Sequence, residues 1–350
     1  MSRIISILLI FSLIGIASSR AQDINRVGTA AAQFMKLGAG ARAGALGEAA
    51  VSIPGDVTSL YWNPAGIASI DRTAFAASRH ELYVDLSFNF VGIVQPLGTN
   101  GSIGASVIYL DSGEMEITTL DSPNGTNCHF SWEAFAIGLT YSRYVTDRLR
   151  LGGTIKYIRE GAYHLKAHAL AIDVGSLLDT GVLGMKLGMC LSNFGGPMRL
   201  AGPSLQVQND RLNNNSGTVL KDAYLKTEEY PLPLIFRLGL STQLVGNEGQ
   251  LMNSENNTLT IAVDAYDPMD AVLRSNLGIE YVWNSILSLR AGYRGISVEN
   301  DEYDSYNTAS YTFGGGIQYD FNVAHIEFDY AFTDFNMLGN GHLFSIVLSF

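Results

Sequence analysis

The stretch His342-Leu-Phe-Ser-Ile-Val-Leu-Ser-Phe350 alternates strictly between two kinds of side chain. Phe344, Ile346, Leu348 and Phe350 fall on one face of an extended chain, and Ser345, Val347 and Ser349 on the other, because successive side chains of a strand point to opposite sides. No Lys or Arg blunts the segment, as an edge strand bordering water normally requires. That separates it from the last strand of a soluble sandwich and asks for a partner on both edges and an apolar medium on one face.

The same alternation recurs upstream. Leu277, Ile279, Tyr281 and Trp283 oppose Asn276 and Glu280; Leu287, Leu289, Ala291 and Tyr293 oppose Ser288, Arg290, Gly292 and Arg294; Ile326, Phe328, Tyr330 and Phe332 oppose His325, Glu327 and Asp329. Period-two segments run over 73–80, 84–97, 101–111, 130–145, 148–160, 165–178, 182–194, 232–244, 257–267, 272–283, 286–296, 311–320, 323–332 and 342–350. Their lengths suit tilted strands crossing a bilayer. The longest connections, 112–129, 195–231 and 297–310, follow odd-numbered segments, and the tight ones follow even-numbered segments, as an up-and-down barrel with both termini on the short-turn side requires. Only 246–256 breaks that parity. The outer loops include the polar runs Asn209 to Gly217 and Glu299 to Asn307.

Composition agrees. The chain has 350 residues, 47% hydrophobic but only 16% charged, with a mean hydropathy of +0.13. A water-soluble domain carries about 25% charge. No run of 18 apolar residues follows residue 20, which leaves the closed β-barrel as the membrane architecture that satisfies every backbone group. A formal net charge of −11 excludes a sequence-independent nucleic-acid binder, which needs a basic face. The expected fold is therefore all-β: a transmembrane antiparallel barrel of about 14 strands.

The first 21 residues read as a signal peptide, with Arg3, an apolar core from Ile4 to Ala17, and the cleavage site Ser19-Arg20-Ala21. A terminal strand ending in Phe resembles the signal read by outer-membrane barrel insertion machinery. Both point to the Gram-negative outer membrane, with periplasmic N- and C-termini and lipid as the immediate partner.

Residues 22–72 do not alternate. They hold the small-residue run Ala39 to Ala50 and the stretch Leu60-Tyr-Trp-Asn-Pro-Ala-Gly-Ile-Ala68. About fifty residues bury too little surface to form a core alone, so the segment is expected to be a luminal plug inside the barrel formed by 73–350. Its candidate plug and gate residues are Arg42, Asp56, Tyr61, Trp62, Asn63 and Pro64: small residues for close approach, Tyr61 and Trp62 for bulk, Pro64 for a turn. Inward-register charges are Lys156, Asp173, Arg237, Asp264, Glu280, Arg290, Arg294, Glu327 and Asp329. Buried charges must pair or stay hydrated, so these are expected to pair with one another and hold the plug, Arg42 meeting an acidic wall residue. The alternative is a polar path opened when the plug moves.

Other chemistry is weakly supported. Gly38-Ala-Gly40-Ala-Arg-Ala43 has dinucleotide-loop spacing but lacks the preceding strand and βαβ unit. His164 and His168, four apart on an expected strand, lack a third ligand. None of the six His lies beside a nucleophile motif, so neither an enzyme nor a cofactor is expected. Cys128 and Cys190, one in an outer loop and one in mid-strand, are expected to be free thiols.

Gly38 to Gly47 with Asp56 and Tyr61-Trp-Asn-Pro-Ala-Gly66, then Ala171-Ile-Asp-Val-Gly175, Leu191-Ser-Asn-Phe-Gly195, Tyr230-Pro-Leu-Pro-Leu234 with Arg237-Leu-Gly239, Leu289-Arg-Ala-Gly-Tyr293, and Asp329-Tyr-Ala-Phe332 with Leu338-Gly339 resemble, in this order, the PorV/PorQ family of outer-membrane proteins. That family is related to FadL-type channels, which implies fourteen strands and a plug carrying the Asn-Pro-Ala turn. The resemblance implies one of two roles. The first is a component of the type IX secretion system that binds the translocon or secreted cargo. The alternative is a FadL-like channel for hydrophobic small molecules.

Overall fold

The computed structural model describes residues 28–83, 86–209, 221–247, 249–297, 309–321, 323–335 and 339–350. The expected signal peptide, the core of the 209–217 run and the 299–307 run lie outside them.

Fourteen long strands form one antiparallel ring. In chain order they are β1 (Ala74–Glu81), β2 (Ser87–Pro96), β3 (Ser102–Asp111), β4 (Trp132–Tyr144), β5 (Leu149–Ala162), β6 (Leu165–Asp179), β7 (Lys186–Gly195), β8 (Ile235–Gly246), β9 (Thr258–Pro268), β10 (Arg274–Trp283), β11 (Leu287–Ser297), β12 (Ser310–Asp320), β13 (His325–Asp334) and β14 (Asn340–Ser349). Each pairs with its sequence neighbour, and β1 pairs with β14 from Ala74↔Ser349 to Glu81↔His342. Beyond the long excursion after β7, β8 returns to pair with it from Ile235↔Ser192 to Ser241↔Lys186. The period-two segments thus mark every strand, and the ring leaves no edge to defend. No described helix is long and apolar enough to cross a membrane.

The outward face is apolar: Leu139, Ile155, Leu170, Leu277, Leu289, Ile317 and Phe328 are among its exposed residues. The inward face is not uniformly polar, which corrects the simple alternation. On β2, Phe88, Phe90 and Val94 point inward and are buried, although Val91 and Ile93 outside are also apolar. They join Ile108, Ile158 and the alanines of β4 and β6 in one cluster with Leu60, Tyr61, Trp62 and Ile67 of the N-terminal segment. The opposite arc, β8 to β13, presents Arg237, Asp264, Glu280, Arg290 and Asp329. The first arc is richer in apolar side chains, although its strands β5 and β6 also carry the buried Arg150, Lys156, Glu160 and Asp173, and the second is mainly charged.

Two departures from a regular ladder matter. The 246–256 connection, too long for its side of the barrel, folds back so that Met252–Asn253 pairs parallel with Val245 and Gly246 beside a register shift at Gln243/Val245. Its length extends the wall instead of forming an outer loop. On β7 the register shifts opposite Ile172/Val174, where Asn193 takes a left-handed φ of 63°. Asn is among the few residues that adopt this conformation readily.

Candidate functional site

The site is the contact between residues 28–72 and the inner wall. Small residues break the segment into short pieces: the 3-10 turn Gln33–Lys36, helix α1 (Ala41–Ala45), helix α2 (Ser59–Trp62) and the 3-10 turn Pro64–Ser69. Irregular backbone away from water must find hydrogen-bond partners, and the wall's short polar side chains supply them. Ala41 N donates to Ser345 Oγ (2.6 Å), Val51 N to Asp264 Oδ2 (2.9 Å) and Ala32 N to Glu160 Oε2 (3.1 Å). Thr312 donates to the Ala45 carbonyl (3.0 Å), Ser241 to Ser52 (3.0 Å) and Ser142 to Ala65 (3.2 Å). Contacts with β4, β5, β8, β9, β12 and β14 reach around the ring, so the segment lines its inner face.

Wall glycines set the approach. A Cβ at Gly152 would lie 2.5 Å from the Pro64 backbone, and one at Gly292 would overlap Gly47 N. The Asn63-Pro64-Ala65 turn is locked from both sides. Asn63 Nδ2 donates to the Val51 and Ser176 carbonyls at 2.8 and 3.0 Å, while its Oδ1 accepts from Ala65 N. Tyr61 and Trp62 meet edge to face at 4.9 Å and donate to the Met35 and Ala39 carbonyls, each at 2.8 Å. Burial raises the Tyr61 phenol well above its ordinary range, so it remains a donor.

Charged links hold the other arc. Arg42 donates to both oxygens of Glu280, at 2.9 and 2.8 Å, with Asp56 at 3.8 Å behind it. Glu280 also accepts from Arg290 Nε at 2.7 Å, and Arg290 reaches Glu327 at 3.2 Å and Asp329. Attraction by Glu280 holds the Arg42 guanidinium well above its ordinary range, so it stays charged at any pH the fold meets. Asp56 instead bonds locally just ahead of α2, accepting from Thr58 N and Oγ1 at 2.7 and 2.8 Å.

The expected pairing of Arg42 with an acidic wall residue is therefore Arg42–Glu280. Lys156 pairs with Asp173 at 2.5 Å, and both bond Asn193 of the β7 bulge. Arg294 pairs with Glu48 of the segment at 2.5 Å. Among the described residues Arg237 does not enter a carboxylate pair of this kind. Its guanidinium lies 5.3–5.5 Å from the ring centres of Tyr61, Trp62 and Tyr266, a cationic post in an aromatic box.

Sequence reasoning missed Glu48, Glu160 and the Lys36–Asp270 pair at 2.6 Å. Glu160 sat on the inward register of β5 and was legible there; Glu48 lies where no periodicity assigns a direction. Cys128 is exposed, Cys190 is buried, and both are free. His164 lies in the turn before β6 and not on the strand, so it does not share a face with His168 as expected. Among the described residues no group of three or more His, Cys, Asp or Glu is placed to hold a metal.

Solved structures with the same fold place these observations. The Pseudomonas putida toluene transporter TodX superposes with a TM-score of 0.54 at 14% identity, covering 89% of this chain and 97% of its own. The CymD monoaromatic hydrocarbon channel gives 0.58 at 10% identity over 89% and 97%. A Pseudomonas aeruginosa FadL homologue gives 0.50 at 12% over 87% and 96%. The protein thus has the FadL-like β-barrel fold of these channels. Residues 19–182 match the sequence model of the family described as type IX secretion system protein PorV. Comparison with curated protein sequences finds no match.

Proposed function

We propose that this barrel is a non-enzymatic component of type IX protein secretion that acts by holding partners, the translocon or secreted cargo, at the outer membrane. The PorV-family match over residues 19–182 carries this reading. The inner face supports it, because residues 22–72 act as a plug: the lumen is spanned by a segment tied to the wall from β4 round to β14. With the wall committed to lipid and the lumen filled, the connections are left to bind partners. In this reading both termini are periplasmic, and the long connections, above all 195–231, face outward. Affinity purification from the native outer membrane in mild detergent, followed by mass spectrometry, tests it. Stoichiometric recovery of a large translocon barrel or secreted cargo is expected, with loss of that partner but not of barrel insertion on deleting 197–228. A barrel recovered alone counts against it.

A second reading, a FadL-like passage for hydrophobic small molecules, is favoured by a specific cavity. About 640 Å³ lies between Ala30–Phe34 of the segment and Leu110, Trp132 and Met198 of the wall and its outer connection. Such volume and lining suit a small apolar ligand. Uptake that rises when Arg42 is released from Glu280 would support it, and uptake indifferent to that link would sink it.

A further inference from the structure

We propose that the outer surface of β4, β5 and β6 carries a binding site for the phosphate of a membrane lipid headgroup. These are the three strands with 13, 14 and 15 residues, and their register aligns the outward residues in rows across them. One row is Leu139, Ile155 and Ile172; the next towards the long connections is Ile137, Tyr157 and Leu170. Both are apolar and exposed, as hydrocarbon contact requires. One step further the row is Phe135, Arg159 and His168, and the last is Glu133, Gly161 and Lys166. The chemistry thus changes from aliphatic to aromatic to cationic along roughly 20 Å of strand. Hydrocarbon gives way to headgroups over such a distance, at the level where aromatic girdles sit.

The cations line a groove of about 350 Å³, walled by Phe130, Tyr163 and His164 from the connections. Rings border it: Arg159 lies 5.5 Å from the centre of Phe135 and Tyr163 meets His164 at 3.9 Å, while Tyr157 stacks on His168 at 6.4 Å on the adjoining surface. The Phe135 ring supports the guanidinium face while leaving its N–H fork open. Two exposed arginines elsewhere, Arg79 and Arg199, are neutralised by carboxylates, Glu81 at 3.3 Å and Glu229 at 3.1 Å. Arg159 and Lys166 form no ion pair among the described residues. Glu133 is the only acidic residue lining the groove, on the far side of Gly161 from Lys166. In a chain of net charge −11, two unneutralised cations above an apolar band complement an anion that arrives attached to acyl chains.

The test uses the full chain purified in detergent, with native mass spectrometry as readout and diphosphorylated lipid A, the same lipid stripped of its phosphates, and inorganic phosphate as probes. The protein is expected to retain the phosphorylated lipid, to retain the stripped lipid at least about tenfold less, and to lose the same factor on substituting Arg159→Ala with Lys166→Ala. Both side chains lie outside the core, and heat-modifiable gel migration checks that the variant barrel stays folded. An Arg159→Lys variant, keeping the charge, should recover part of the binding. Equal retention by wild type and double variant overturns the proposal, as does equal retention of the stripped lipid. Saturation by inorganic phosphate alone at the concentration at which the lipid binds overturns it in favour of a free-anion site.

Discussion

At Arg42 and Glu280 the segment and the wall meet at 2.8 Å, and the two residues differ as targets. The linked set brings the carboxylates of Asp56, Glu280, Glu327 and Asp329 against only the guanidiniums of Arg42 and Arg290. Arg42→Ala leaves the acid excess worse, with Glu280 only 2% exposed; Glu280→Gln relieves it. Arg42→Ala should therefore cost about 3 kcal/mol and Glu280→Gln clearly less, read as denaturant midpoints of the assembled barrel. The reverse order would mean that the neighbouring carboxylates do not repel. Asn193 offers a second contrast. At φ 63°, Asn193→Gly keeps the bulge and loses side-chain bonds to Lys156 and Pro233, whereas Asn193→Val also clashes with the left-handed backbone. Valine should be worse by about 1–2 kcal/mol in the same measurement. Inward charges such as Lys156, Asp173 and Asp329 were legible because a strand's register fixes direction. The aromatic box around Arg237 was not, since its walls come from Tyr61 and Trp62, far away in sequence.

Strands and segment obey different rules, which explains why one was readable and the other was not. A strand crossing lipid must alternate or be neutral on its outer face, so period two survives even in β2, where the inward residues are also apolar. Residue-level ends drift because pairing continues past the apolar band, as at β13, which runs to Asp334 instead of stopping at residue 332. The segment has no period because its shape is dictated by hydroxyls and glycines on the wall. That makes it sensitive to the wall's surface. Gly152→Leu, which drives a side chain into the Pro64 turn, should leave the barrel folded yet release the segment. Limited proteolysis would then cut within residues 55–70 in the variant alone; equal resistance would show that the turn has room to shift.

The proposed plug role makes a prediction for the molecule as a whole. In planar bilayers the full chain should show no sustained conductance, and deletion of residues 28–72 should open a steady one, because the charged arc from β8 to β13 would then face water. Equal silence from both would mean that the wall closes the lumen without the segment. The strand count, the ring and the membrane setting were legible from alternation and loop parity. The gathering of the apolar inward residues on one arc was not, because it depends on which strands end up facing each other across the lumen. The pairing of β1 with β14 also bears on how the molecule comes to exist. The seam joins the first and last strands of the ring, so the sheet stays an open trough until the last strand has arrived and paired. During that interval the segment can settle along the concave side unconfined; once the seam shuts, the same contacts are reachable only through the mouths.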